Sequence, residues 1–181
     1  KYLLPFPQFP LISHLIAELG RSVDEVILIT NETDKLSFLP QRKFRDILSV
    51  PCALSGLHSG LFHSSSEYNF VLACDLPLFD SRMVDLFRQH AGGETQIVVP
   101  KTARGFESLC GLYSKQCIPQ IETMIAENHF SIHELFARLP TTIVPAGEVE
   151  SLFHPNVFFN MNTPEDYHEA RRLFSQINPS V

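Results

Sequence analysis

The chain has 181 residues, of which 44% are hydrophobic, and a formal net charge of −6. That length suits one α/β domain with one sizeable core, and the composition excludes disordered and fibrous classes. No apolar run reaches the roughly 20 residues of a membrane-spanning helix, and the 14 basic residues are scattered, not gathered into a stripe that would follow nucleic-acid phosphates.

The opening KYLLPFPQFP is not a signal peptide, because prolines interrupt its apolar stretch and no small-residue cleavage site follows. A cytoplasmic setting is expected, with neither membrane nor nucleic acid as partner. The four cysteines form no C-x-x-C pair and read as reduced, mostly buried thiols. The eight histidines include no H-E-x-x-H, and His129 and His133 read as surface residues on one helix face.

In chain order, Pro10–Leu19 reads as a helix that Gly20 stops. Glu25–Thr30 (EVILIT) is almost wholly apolar, as a parallel strand buried on both faces would be. Leu54–Phe62 reads as a helix after a loop, and Phe70–Cys74 as a second buried strand broken by Asp75-Leu76-Pro77. Asp80 is placed to cap a helix reaching about His90. Strands are predicted at Gln96–Pro100, Leu109–Tyr113, Thr142–Pro145 and Val157–Asn160. Helices are predicted at Ile118–Asn128 and Ile132–Leu139, with a last one running from Thr163 to about Ser175. The alternation predicts one domain over residues 1–181: a three-layer α/β/α Rossmann-like fold with a mostly parallel sheet.

Four segments carry chemistry. In FVLACDLPLF, Asp75 follows a buried strand at its carboxyl end, where open α/β sheets bind ligands, and a hard carboxylate oxygen there suits magnesium beside a triphosphate. On this segment alone, an ordinary strand-to-helix turn is an equal reading. In the stretch Asp46 to Leu57, Ser55 and Gly56 open a helix with backbone N–H groups free to approach a ligand, and Asp46 is placed to accept hydrogen bonds from a sugar or base. Taken alone, a tight turn and helix start explain that stretch better. In FNMNTPED, Thr163, Pro164 and the two acids make a helix start without any function, but Asn160 and Asn162 are left over. On a strand they would point to the same side and reach one ligand or ion. Lys1 leads into the first helix-bearing segment and could neutralise phosphate charge.

Together these segments resemble the molybdenum cofactor guanylyltransferases, within the nucleotidyltransferase superfamily. That family has a glycine-rich, Arg-containing phosphate loop ending in Asp-Lys and a Leu-Leu-Pro-Phe-like segment, and Lys1-Tyr2-Leu3-Leu4-Pro5-Phe6 looks like its end. Residues 1–181 lack the first strand and the glycine-rich part, so the resemblance predicts a chain that starts after them. The family's Asp…Pro-Gly-x-Gly-Pro-Leu-x-Gly loop is matched in length, keeping Asp46, Leu54 and Gly56, with Ser49-Val50 and Cys52-Ala53 in place of its Pro-Gly and Gly-Pro elements. Asp75-Leu76-Pro77 is similar to its metal-binding Asp-x-Pro. The stretch Gly105 to Ser114 resembles one ending Pro-Leu-x-Ala-Leu-Tyr, with Ser108 and Gly111 substituted. Phe159 to Asp166 matches its Asn-x-Asn-Thr-Pro-Glu-Asp, where cytidylyltransferase relatives tend to carry Asp-x-Asp.

The resemblance implies transfer of GMP from GTP to molybdopterin with release of pyrophosphate, using Mg2+. Its implied roles are Asp75 as magnesium ligand with Asn162 as a second ligand or orienter, and Lys1 on the phosphates. Asp46, Leu54 and Gly56 would lie at the nucleoside, and Asn160 and Asn162 on the pterin side, with a protein partner handing over the cofactor. Cytidylyl transfer, nucleotidyl transfer to a sugar phosphate, and a non-catalytic binding homologue remain the alternatives.

Overall fold

Alternation along one strand sets the layers. Within β4 (Ile97–Thr102), Ile97 and Val99 face one way and Val98 the other, and all three are fully buried. Ile97 and Val99 pack with helices α2 (Ala53–His63), α4 (Ile118–Ala126) and α5 (Ile132–Arg138). Val98 packs with α1 (Leu11–Leu19), α3 (Arg82–Gln89), α6 (Ala146–Leu152) and α7 (Pro164–Ile177). In β6 (Cys110–Ser114), Tyr113 joins the first cluster, and Cys110 and Leu112 the second. Helices therefore cover both faces of the sheet, giving the three layers expected. The computed structural model describes residues 1–6 and 8–178.

The sheet departs from the mostly parallel expectation. β3 (Tyr68–Leu72) pairs antiparallel with β6, and β6 antiparallel with β4. β4 also pairs antiparallel with the short β5 (Gly105–Phe106) and parallel with β7 (Thr141–Pro145). Thus β3, β4 and β7 run one way, and β5 and β6 oppose them. The physical reason is chain length. A parallel return needs a crossover of about a dozen residues or more, usually a helix, and the connection from Thr102 to Cys110 is too short.

Gly111 fits the β6–β4 pairing closely. A Cβ there would stand 2.8 Å from the Val98 carbonyl oxygen and 2.9 Å from Val99 Cγ1.

β1 is Leu28–Ile29, shorter than the predicted Glu25–Thr30, and it pairs in parallel with β2 (Lys43–Phe44), which the sequence did not announce. This pair forms a sheet of its own. Between β1 and β3 lies a cavity of about 730 Å³, walled by Ile16 and Leu19 of α1, Leu57 of α2, Leu28, Phe70 and Leu72. β3 borders it, which explains why the strand is half-buried throughout and not fully buried as predicted. Strand length follows available partners, and on this side neither edge has one among the described residues.

Val157–Asn160 is not a strand. Its amides make turn bonds instead, Val157 N–H to His154 O at 3.2 Å and Phe159 N–H to Asn156 O at 2.9 Å. α6 was unforeseen, whereas α1 and α7 begin and end close to expectation. Asp80 accepts from the Arg82 amide at 2.9 Å, one residue ahead of the assigned N-cap, Ser81. The four cysteines are unpaired, Cys110 and Cys117 buried and Cys52 and Cys74 half-buried. No described helix is long and apolar enough to cross a membrane.

Candidate active site

The end of β3 and the start of α7 meet at Asp75. Met161 N–H donates to the Asp75 carbonyl at 2.8 Å, which ties the FNMNTPED segment to the turn after β3. The Lys1 ammonium donates to Asn162 Oδ1 at 2.8 Å and lies 3.4 Å from Asp75 Oδ2. Asn162 Nδ2 donates onward to Asn160 Oδ1 at 2.8 Å. Lys1, Asp75, Asn160 and Asn162 are thus one cluster. The two asparagines share a side as expected, through a direct bond rather than strand alternation.

Asp166 holds the frame of this cluster. Its carboxylate accepts from the backbone amides of Asn162 and Thr163, both at 2.8 Å, while Thr163 Oγ1 accepts from the Asp166 amide. This is a complete capping box. The amides of Thr163 and Asn162 hold the Asp166 carboxyl below its ordinary value. The sequence marks Asp166 as a first-turn acid; its hold on Asn162 is visible only in the fold.

One oxygen of the cluster is left over. Asp75 Oδ1 is buried and without a hydrogen-bond partner among the described residues. A buried carboxylate oxygen in that state is costly unless a cation or donor shares it. Asp75 and Asn162 offer hard oxygen donors side by side, the type that magnesium takes. No group of three or more His, Cys, Asp or Glu side chains suited to a metal occurs among the described residues. A cation here would draw most of its shell from a phosphate substrate and water, as magnesium commonly does. Burial first, then the Asp75 charge, pushes the neighbouring Cys74 thiol up.

Asp46 stands apart from this cluster. Its Oδ2 accepts from Asn31 Nδ2 at 2.8 Å, and its own amide donates to Asn31 Oδ1 at 3.2 Å. Gly56 lies against it, a Cβ there falling 3.8 Å from Asp46 Oδ1. Leu54 is fully buried in the core with Leu57 and Leu61, so its side chain faces away from any ligand. Gly56 and Asp75 both border the 730 Å³ cavity. Asn31 was missed, although it follows β1 as Asp75 follows β3 and the same strand-end argument would have found it. Arg104 was missed too; it reaches from the turn between β4 and β5 to the Phe158 carbonyl at 2.9 Å.

A family model described as the MobA-like NTP transferase domain matches residues 1–142, a span that includes Lys1, Asp46 and Asp75. The chain belongs to this family. A probable molybdenum cofactor guanylyltransferase of Methanosarcina mazei is 32% identical over 179 residues, spanning 92% of this chain and 80% of that protein. The molybdenum cofactor guanylyltransferase of Vibrio parahaemolyticus is 26% identical, spanning 97% of this chain and 88% of that protein. Among solved structures, molybdopterin-guanine dinucleotide biosynthesis protein A from Archaeoglobus fulgidus is similar with a TM-score of 0.82 at 19% identity. That likeness covers 97% of this chain and 91% of that one, and the fold is accordingly that of the nucleotidyltransferases.

Proposed function

We propose that this MobA-like transferase moves GMP from GTP onto the phosphate of molybdopterin, releasing pyrophosphate, as a single cytoplasmic domain that receives its acceptor from a partner protein. The observation that carries the reading is the unshared, buried Oδ1 of Asp75 beside Asn162 and Lys1. Magnesium held there would supply Lewis-acid polarisation of the α-phosphate. The chain's own groups do the rest by position and charge. No protein nucleophile is needed, since the acceptor's phosphate oxygen attacks the α-phosphorus and the bond to the β-phosphate oxygen breaks.

Lys1, flexible at its tip and already seated on Asp75 and Asn162, would turn its charge to the phosphates. Asp46, half-buried and aligned by Asn31, would accept hydrogen bonds from the nucleoside, with the backbone at Gly56 leaving it room. Leu54 would contribute only through the main chain of the first turn of α2. Asn160, oriented by Asn162, would meet the acceptor.

The deciding assay incubates full-length protein with molybdopterin, magnesium and either GTP or CTP. A dinucleotide formed from GTP is expected. Preference for CTP would move the reading to cytidylyl transfer, for which the Ser49-Val50 and Cys52-Ala53 replacements leave room, and no product from either would end it.

A further inference from the structure

Past Asp75 the chain runs through Leu76, Pro77, Leu78 and Phe79 to Asp80 and Ser81 before α3 begins. Two histidines from separate elements close on two successive carbonyls of this turn. His14, on α1, donates Nε2–H to the Pro77 oxygen at 3.2 Å. His154, just after α6, donates Nε2–H to the Leu78 oxygen at 3.0 Å. One helical turn from His14, Glu18 accepts from both the amide and the hydroxyl of Ser81, at 3.1 and 2.9 Å. His14 and Glu18 therefore present one face of α1 to the turn.

Packing holds the turn only in part. Leu76, Leu78 and Phe79 are buried at 2–4% exposure. Alongside, however, lies a second cavity of about 400 Å³, bordered by His14, Glu18, His154, Phe174 and the Pro77–Asp80 backbone. With space beside it, the direction of the backbone depends on its hydrogen bonds. The His14 ring is itself fixed, 5.3 Å from the Phe6 ring and 5.2 Å from that of Phe174.

We propose that His14 and His154 are positioning residues for Asp75: by fixing the Pro77 and Leu78 carbonyls they set the direction in which the Asp75 carboxylate meets a cation. The proposal rests on Asp75 as the metal carboxylate. Asp75 is held from one side by Met161 through its own carbonyl, and the histidine pair supplies the hold from the other.

The test measures Mn2+ affinity in the presence of GTP, by the electron paramagnetic resonance of the free ion, alongside amide exchange over residues 75–81. The proteins compared are wild type, Asp75→Asn, His14→Leu, His154→Leu, His14→Gln and His154→Gln. Each Leu variant is expected to weaken Mn2+ binding about five-fold, the scale of one lost hydrogen bond, and to speed exchange across the turn. The Gln variants keep an N–H at similar reach and should recover both. Lower thermal stability with Mn2+ affinity and turn exchange unchanged would reduce the histidines to structural residues and overturn the proposal. If Asp75→Asn binds Mn2+ as wild type does, the metal reading of Asp75 fails, and the proposal with it. Amide exchange then still shows whether the histidines hold the turn.

Discussion

Asp75 has two oxygens in different surroundings, one near the Lys1 ammonium and one buried with no donor. That asymmetry sets the outcome of replacing it. Asp75→Asn keeps the shape but removes the charge, and it places an amide N–H₂ or a neutral oxygen where a cation would sit. Turnover should fall by about 100- to 1000-fold, the loss seen when one preorganised electrostatic partner is removed from a transition state. The melting temperature should stay close to wild type, since the buried Oδ1 has no donor to lose and the 3.4 Å contact with Lys1 is partly exposed. Steady-state kinetics with magnesium and GTP, paired with a melting curve, measures both; full activity in the variant would remove Asp75 from the metal. Asp75 could be found from sequence because its signal is local, a carboxylate at a strand end before a proline. Asn31 acts through Asp46, 15 residues away in sequence though 2.8 Å away in space, and no local pattern announces that pairing. Asp166 is marked locally as a first-turn acid, but its bond to the Asn162 amide depends on how the chain enters α7.

At the scale of elements, the pairing of β6 with β4 makes the sharpest demand. Gly111 brings β6 to a distance from Val98 that no side chain allows, because a Cβ would meet a backbone oxygen that cannot rotate away. Gly111→Ala should cost about 1–3 kcal/mol, as overpacking does in a close-packed interior, and chemical denaturation should show it as a lower midpoint at unchanged slope. A midpoint equal to wild type would mean that the strands can separate there without cost. Elements whose limits are set by their own residues were readable: α7 by the Thr163–Asp166 cap and α1 by Gly20 at its end. Elements whose limits are set by a neighbour were not. β1 stops where β2 stops pairing with it, and Val157–Asn160 has strand-like residues but no strand beside it. The antiparallel course of β6 was present in the sequence, in the short connection from Thr102, but alternation of strands and helices elsewhere pointed to a parallel sheet.

Over the whole molecule, buried titratable groups set a stability window from both sides. Burial lowers the pKa of His14 and His154, opposed for His14 by Glu18 and the Pro77 carbonyl, and for His154 by the Leu78 carbonyl and Asp80. Their folded values lie below the unfolded value of about 6.5, so below that pH the unfolded chain binds more protons and stability falls with acidification. Asp80 and Asp166, with carboxyls held low, add to the loss only when pH falls below about 4. On the alkaline side, burial pushes Cys117 up to about 12 and raises Cys110 and Tyr113 as well. Those groups stay protonated in the fold while the unfolded chain begins to lose protons near pH 8.5, so stability falls again as pH rises past that point. Melting followed by circular dichroism from pH 5 to pH 10 should give a plateau between about pH 6.5 and 8.5 with a decline on each side. His14→Gln combined with His154→Gln should flatten the acid limb and leave the alkaline limb alone, and Cys110→Ala should ease only the alkaline one. An acid limb of equal slope in the double variant would show that the two rings are not what the fold must keep neutral. The same rings hold the turn after Asp75, so the acid limb should bring faster amide exchange at residues 76–81 before the sheet itself gives way.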